Sequence, residues 1–442
     1  MASIPSLHQL TVLIMAHLAE NVLDLALRHG VEAVEVYALE QSDHTVSYEA
    51  NQLKQIESSQ VEGYGLRIWQ NHRPGIAVAF GKFDPQELID RALALSALNP
   101  PEEICWHTGI RNVDHSSPPP ETAELVAGAE SAIARIREFQ SEILCHSDWQ
   151  WNNHGFRLIN SQGLDCTYRE SNLSGSLSAE WVRGEDFLQV WAEIEGSDRL
   201  QPQDLTQQIL ARLNWAINST PAPPGQVPVL FTPKAAEVLL GTVVAAISAR
   251  QLEQKTTPWT DRLGSQVLDP QITLSQDPSL APYHLPFDHE GSVTQKFNWI
   301  EQGRLQGFYS DLRRAKALGI PSLGNGFRSD LGSKPQPGLF NLVVAPGALS
   351  FEQMLDIMTD GMIVDQILGD GGGITGDFSF NLDLGYRVQQ GKIVGRVKDT
   401  MVSGNAYQAL GKDVHLGQER QWQGSLYSPA LLVDGLSVTA SG

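Results

Sequence analysis

The sequence predicts an α+β protein, with N-terminal antiparallel meander sheets packed with helices and a mostly-β C-terminal domain built around a buried helix. Alternating apolar residues recur in short runs between polar turns, the period-two mark of strands with one buried face. Stretches beginning near residues 10, 84, 121 and 205 switch to the i, i+3, i+4 spacing of amphipathic helices. Within the helical stretch 233–254, residues 235–247 are apolar around nearly the whole circumference, as expected of a helix buried on all sides.

At 442 residues the chain exceeds what one hydrophobic core supports, so two or three domains are expected. The formal net charge of −20 repels phosphate backbones and anionic membranes, which argues against nucleic-acid or membrane binding. The densest basic cluster, Arg313, Arg314 and Lys316, lies in a helical pattern and reads as a solvated face. No uninterrupted apolar run approaches the roughly 18 residues of a membrane-spanning helix. The apolar stretch 10–18 lacks a positively charged start and continues in helical spacing through Leu25, so it reads as a folded helix rather than a signal peptide. Three widely spaced cysteines, Cys105, Cys145 and Cys166, fit a reducing cytoplasm better than a disulfide framework.

In chain order, 31–36, 45–48, 61–69 and 76–80 read as strands, with turns at 41–43 and 71–75, and an antiparallel meander is the simplest arrangement. Asp84 and Pro85 then supply an N-cap and a first-turn proline for a helix to about Leu98. The stretch 99–120, rich in Pro, His and Ser, reads as loop or linker. Helical spacing returns over 121–139. Strand-like runs follow around 154–159, 164–169, 173–181 and 187–191, and a helix fits 205–217. The segment STPAPPG at 219–225 is the clearest linker and sets the main boundary. This divides the chain into an N-terminal region, 1–220, with 1–100 and 121–218 as candidate subdomains, and a C-terminal domain, 221–442.

The C-terminal part opens on an apolar strand from Val227 running straight into the apolar helix, with Thr232 as N-cap and Pro233 in the first turn. Gly241, Ala245 and Ser248 are small and lie about one turn apart, leaving room for another backbone. Hairpins are expected over 297–308 through Glu301-Gln302-Gly303, and over 386–397 through Gln389-Gln390-Gly391. Ser350 and Gln353 form a capping box for a helix running to Met358 and ended by Gly361.

Little of this pattern carries chemistry. His289-Glu290 has no second histidine at H-E-x-x-H or H-E-x-x-x-H spacing, and its setting, FDHEG, reads as a solvated turn. Cys145-His146 with Asp148 could supply a nucleophile, but nothing orients it, and a structural cysteine is the simpler reading. In the loop 369–376, Gly371, Gly373 and Gly376 satisfy G-x-G-x-x-G. The sequel alternates like a strand, whereas nucleotide binding needs a helix there. That loop reads either as a mobile segment bringing backbone N–H groups to a ligand or as a plain wide turn.

The order of the pieces resembles the TldD/PmbA family, also called modulator of DNA gyrase. The resemblance runs through VEVYALEQSDHTVSYEANQLKQIESSQVEGYGLRIW, LINSQGLDCTYRE, VPVLFTPKAAEVLLGTVVAAI, FDHEGSVTQKFNWIEQGRL, PSLGNGFR, NLVVAPGALSFEQML, GMIVDQILG, ITGDFSFNLDLGYRVQQGKIV and VSGNAYQAL, nearly the whole chain. In TldD-type members the apolar helix carries a zinc-binding H-E-x-x-x-H, and a distant downstream cysteine completes the site. Here the resemblance puts Gly241 and Thr242 where the first His and the Glu belong, and Ala246 where the second His belongs; no cysteine follows Cys166. It therefore implies the TldE/PmbA branch, with no catalytic residue, no metal site and no cofactor in this chain. Zinc is expected only in a TldD-type partner, and the pair would form a cytoplasmic peptidase acting on unfolded peptides. The alternative is a stand-alone peptide-binding homodimer. The resemblance also implies a cleft that takes an extended peptide beside a strand, with Asn325, Thr375, Gly376, Asp377, Phe378 and Ser379 as the residues expected to line it.

Overall fold

The computed structural model describes residues 7–197, 201–369 and 372–440. Helix α1 (Leu7–Arg28) leads into the meander β1 (Ala33–Glu49), β2 (Gln52–Gln70) and β3 (Arg73–Phe80), followed by α2 (Pro85–Ser96). Asp84 caps α2 by accepting the Gln86 backbone N–H at 2.9 Å. Strand β4 (Gly109–His115), helix α3 (Thr122–Phe139), strands β5 (Leu144–Asn160), β6 (Leu164–Arg183) and β7 (Asp186–Ser197) and helix α4 (Pro202–Trp215) complete the N-terminal region.

These strands form one sheet in the order β3-β2-β1-β5-β6-β4, with β7 paired to the second half of β6. A single sheet thus carries strands from both 1–100 and 121–218. Two expectations fail here. β1 passes unbroken through 41–43, because those residues pair with β2 on one side and β5 on the other, and paired backbone outweighs their turn-like polarity. The stretch expected to be loop holds β4, which runs parallel to β6 along the edge that β7 leaves free.

The C-terminal part begins with β8 (Gly225–Phe231), α5 (Glu237–Ala246), α6 (Ala249–Glu253) and β9 (Leu274–Gln276). The hairpin β10 (Phe297–Glu301) and β11 (Arg304–Leu305), helix α7 (Leu312–Leu318), the short pair β12 (Gly326–Phe327) and β13 (Gln336–Pro337), strand β14 (Leu342–Val344) and helix α8 (Phe351–Ile357) follow. The last third holds β15 (Asp360–Leu368), β16 (Asp377–Gln389), β17 (Lys392–Val397), β18 (Thr400–Asn405), α9 (Ala406–Ala409), β19 (His415–Gln423) and β20 (Leu426–Ala440).

The pairings β8-β15-β16-β18-β20-β8 close a ring of five strands, so this part of the sheet has no free long edges. Alternation splits its strands between two cores. Val229, Phe231 and Val364 pack in one cluster with Leu239 and Val243 of α5, while Leu230, Ile363 and Leu432 pack in another with Leu125 of α3 and Leu213 of α4. The N-terminal region and the ring therefore share a core.

Both hairpins form where expected, and α8 carries the capping box: Gln353 N–H to Ser350 Oγ at 3.2 Å, and Ser350 N–H to Gln353 Oε1 at 2.9 Å. Helix α8 ends at Ile357, and Gly361 lies inside β15. The long apolar helix is instead two helices. Residues 232–236 form a turn, so α5 starts later than a Thr232 cap implies. At the other end Tyr309 captures the backbone, donating its N–H to Ile247 O at 3.0 Å and accepting from Ala249 N–H at 2.9 Å, and Ser248 caps α6.

The helix is not buried all round either. Glu237 and Gly241, one turn apart, are exposed, and among the described residues outside the helix itself none comes within 4 Å of where a Gly241 Cβ would sit, so none of their backbones uses that gap. The basic cluster is a solvated face at Arg313 and Lys316, which are exposed, but not at Arg314. Arg314 is buried and paired with Asp311 and Glu253, Arg313 shares Glu253, and Lys316 pairs with Glu103.

Candidate functional site

The exposed stripe of α5 faces a cavity of about 400 Å³ between the ring and β7. Trp191 of β7, Lys234 and Ala235 of the turn before α5, Glu237, Gly241 and Thr242 of α5, Asp365 to Ile367 of β15, Gly369 and Gly372 of the following loop, and Gln423 of β19 line it. Both halves of the chain contribute, which is a common setting for a ligand pocket.

Its polar floor is a closed network around one ammonium. Lys234 Nζ donates to Trp191 O at 2.7 Å and to Gln366 Oε1 at 3.0 Å, and lies 3.0 Å from the centre of the Trp191 ring. Gln366 is held in turn, accepting the Trp191 N–H at 3.0 Å and donating to Asp383 Oδ2 at 2.8 Å. Next to it Arg212 Nε of α4 donates to both oxygens of the fully buried Asp365, at 3.0 and 2.8 Å. Burial alone would raise the Asp365 carboxyl, but Arg212 and Lys234 outweigh it and hold it below the usual range. Burial dominates at Lys234 and pushes its ammonium down to about 7, although Asp365 opposes the shift.

The vacant-motif positions separate. Gly241 and Thr242 line the cavity, whereas Ala246 is fully buried and does not. The Thr242 hydroxyl is committed, donating to Gly372 O at 3.1 Å and tying α5 to the glycine loop.

Asp370 and Gly371 of that loop lie outside the described residues. The second half of the loop is pinned to α9: Tyr407 OH donates to Ile374 O at 2.9 Å, Asn405 Nδ2 to Thr375 O at 3.1 Å, and Ala406 N–H to Gly376 O at 2.8 Å. Gly376 has φ +86°, and a Cβ there would meet the Tyr407 ring at 2.6 Å. A Gly376→Ala substitution is therefore expected to cost about 1–3 kcal/mol, read as a lower thermal midpoint and faster amide exchange at Ile374 and Thr375.

Beyond the loop, Phe378 to Phe380 pair with β18 on one side, but β15 joins β16 only from Asn381. Among the described residues no strand covers the other edge of that three-residue stretch. Asp377 and Ser379 are exposed, while the side chains of Phe378 and Phe380 are buried in the core, leaving only their backbones for a ligand. Asn325 is fully buried, donating to Gln276 Oε1 at 2.8 Å and Gly338 O at 2.9 Å, and is not among the cavity-lining residues.

The remaining chemical candidates are structural. FDHEG is not a solvated turn. Asp288 accepts the backbone N–H groups of Glu290, Ser292 and Gly326 at 2.9, 2.9 and 2.8 Å. His289 packs on Phe156 and Phe327, and its Nδ1 accepts the Arg328 N–H at 3.1 Å. Burial, reinforced by Arg328, pushes the imidazole down to about 3, so it stays neutral. Cys145 points into the core with its thiol pushed up to about 12 by burial, while His146, its neighbour on β5, turns outward toward Glu180.

Zinc in a structural or catalytic site takes at least three protein donors. Gly241 and Ala246 supply no side-chain donor, the Thr242 hydroxyl is already engaged, and all three cysteines lie in the N-terminal region. Among the described residues no group of three His, Cys, Asp or Glu side chains is placed to hold a metal ion. The residues present on α5 do not fit the metal.

Sequence reasoning missed Lys234, Asp365, Gln366 and Trp191. The available signal was a charge inside apolar surroundings: Lys234 within VPVLFTPKAAEVLL and Asp365 within GMIVDQIL.

A family model described as the PmbA/TldA metallopeptidase C-terminal domain matches residues 224–440, and one for domain 1 of the same family matches 34–96. The chain is 26% identical over 454 residues to "Metalloprotease PmbA" of Escherichia coli O157:H7, covering 96% of each protein. It is 25% identical over 447 residues to the "Metalloprotease PmbA homolog" of Haemophilus influenzae, covering 95% of this chain and 94% of the relative. Among solved structures it superposes on TldE from Thermococcus kodakarensis with a TM-score of 0.86 at 22% identity, covering 96% of this chain and 99% of that one. A protein from Thermotoga maritima described as a modulator of a DNA gyrase superposes with a TM-score of 0.83 at 23% identity, covering 95% and 99%. At these identities the superpositions speak for the fold alone. No helix among the described residues is long and apolar enough to cross a membrane.

Proposed function

The chain belongs to the PmbA/TldD metallopeptidase family, and from that premise we propose that it is a TldE/PmbA-like, metal-free subunit of a cytoplasmic TldD/TldE-type zinc peptidase. It pairs with a TldD-type subunit that holds the zinc, and together they degrade or process unfolded peptides. The observation behind this reading is the state of α5, which keeps its apolar frame and its place beside a cavity while Gly241, Thr242 and Ala246 offer no ligand set. A threonine hydroxyl committed to Gly372 O cannot act as a carboxylate base at neutral pH.

An extended peptide docks on the open edge at Phe378 to Phe380 through main-chain hydrogen bonds, with the exposed Asp377 and Ser379 and the neighbouring Thr375 and Gly376 beside it. Asn325, buried behind Gln276 and Gly338, serves the fold instead. Nucleic acid is not the partner, since a net charge of −20 opposes it.

Co-expression with a TldD-type chain tests the pairing. The two are expected to co-purify, with chelator-sensitive peptidase activity in the complex and none in this chain alone. Chelator-sensitive proteolysis by this chain alone would overturn the reading. Recovery of only a homodimer in the presence of abundant TldD-type chain would favour a stand-alone peptide-binding homodimer.

A further inference from the structure

We propose that the cavity beside α5 binds a carboxylate group of an extended peptide, with the Lys234 ammonium as its counter-ion. This rests on the peptide-docking reading above and adds the chemical group that the cavity selects.

The direct contacts of Lys234, rather than the summed charge around it, point to an anion. Lys234 makes no ion pair within 4.0 Å among the described residues, and both of its hydrogen bonds go to uncharged oxygens, Trp191 O and Gln366 Oε1. An ammonium has three donors, and the third has only the face of the Trp191 ring, 3.0 Å away, to compete with a ligand oxygen for it. The nearby carboxylate of Asp365 is already engaged through both oxygens by Arg212, and the Asp383 carboxylate accepts from Gln366. Glu193 is bonded to Gln423, and Glu237 is exposed on α5. A buried ammonium lacking a carboxylate partner is unfavourable until an anion enters, and the pair then gains from the low dielectric around it.

The geometry admits a main chain. Gly241, Gly369 and Gly372 contribute no side chains to the wall, and the space over Gly241 is open among the described residues. Gly372 also packs against Asp377, where a Cβ on it would lie 2.7 Å from Asp377 O, so the cavity wall adjoins the start of the open β16 edge. A peptide on that edge can place either its C-terminal carboxylate or an acidic side chain over Lys234. With the ammonium pushed down to about 7 by burial, opposed by Asp365, Glu193 and Asp383 and reinforced by Arg212, Lys234 loses its charge in the free cavity as pH rises through 7. Carboxylate affinity is then expected to fall up to tenfold per pH unit above that value.

Calorimetric titration of the full chain at pH 6 with three N-acetylated Val-Thr-Val-Thr-Val-Ala peptides tests this: the free acid, its C-terminal amide, and the amide with Glu replacing the last Ala. One or both carboxylate-bearing peptides should bind about 10- to 100-fold tighter than the plain amide. The peptide that gains identifies a terminal or a side-chain carboxylate. Lys234→Met should abolish the preference of the carboxylate-bearing peptides over the plain amide, and Lys234→Arg should retain part of it. In the parent chain the preference should shrink from pH 6 to pH 8, a readout independent of either variant. Equal binding of all three peptides, or a preference that survives Lys234→Met, overturns the carboxylate assignment and leaves peptide docking standing. Absence of binding by any of the three defeats peptide docking itself, and the assignment with it.

Discussion

Replacing Asp365 with alanine is expected to destabilise the protein by about 3–5 kcal/mol, read as a large fall in the urea unfolding midpoint. Asp365 is fully buried, and its carboxylate takes two hydrogen bonds from Arg212 Nε, itself on a side chain only 10% exposed. Removing the anion leaves the Arg212 guanidinium uncompensated and takes away the largest charge contribution favouring the Lys234 ammonium. The double variant Arg212→Met/Asp365→Leu, which removes both charges, should lose far less than Asp365→Ala alone. A buried pair stabilises little over an apolar replacement, whereas one widowed charge is costly. Loss of Asp365 should also disturb carboxylate binding at Lys234, because the two share the cavity floor.

Glu35→Ala is expected to act with similar size at the other contact between the halves. The Glu35 carboxylate on β1 pairs with Arg67 of β2 at 3.2 Å and with Arg328, which follows β12, and all three side chains are nearly buried. Its removal strands two guanidinium groups and should cost about 3–5 kcal/mol. Limited proteolysis between the N-terminal sheet and the β12–β13 hairpin should accelerate. The pH dependence follows from the same contact. Burial would raise the Glu35 carboxyl, but Arg328 and Arg67 overcome it, so its folded value lies below the unfolded one, near 4.5. The stabilisation is therefore fully present above that unfolded value and is lost as pH falls through the lower folded one. The parent chain and Glu35→Ala should converge in stability on acidification and differ most near neutral pH.

Wherever one face of a strand is buried, its alternation is legible in the sequence, as in the core-facing ends of β2 and β3 and in the hairpin of β16 and β17. Legibility fails where a tertiary partner supplies what local sequence does not. Gln41, Ser42 and Asp43 look like a turn but are flanked by strands on both sides, and β4 exists because β6 offers it an open edge. The break between α5 and α6 has a similar origin. Ile247 and Ala249 would continue a helix, but the backbone of Tyr309, far along the chain, pairs with both, and Ser248 between them caps α6.

The site divides in the same way. Gly241, Thr242 and Ala246 could be singled out by position, yet only the first two reach the cavity. Lys234, Trp191, Gln366 and Asp365 converge from the pre-helix turn, β7 and β15, and their role depends on distances that no spacing encodes. His289-Glu290 illustrates the reverse error: a polar pentapeptide that resembles a surface turn is buried because Asp288 satisfies three backbone N–H groups and aromatic rings cover the histidine.

The central claim is that α5 occupies the place of a zinc-binding helix without binding zinc. Equilibrium dialysis of the purified full chain against buffered micromolar zinc, followed by elemental analysis, measures this most directly. The expected result is substoichiometric zinc in this chain alone, unchanged by Thr242→Ala, with zinc recovered only when a TldD-type partner is present. One tightly held zinc per isolated chain, lost on substitution within 237–246, would contradict it.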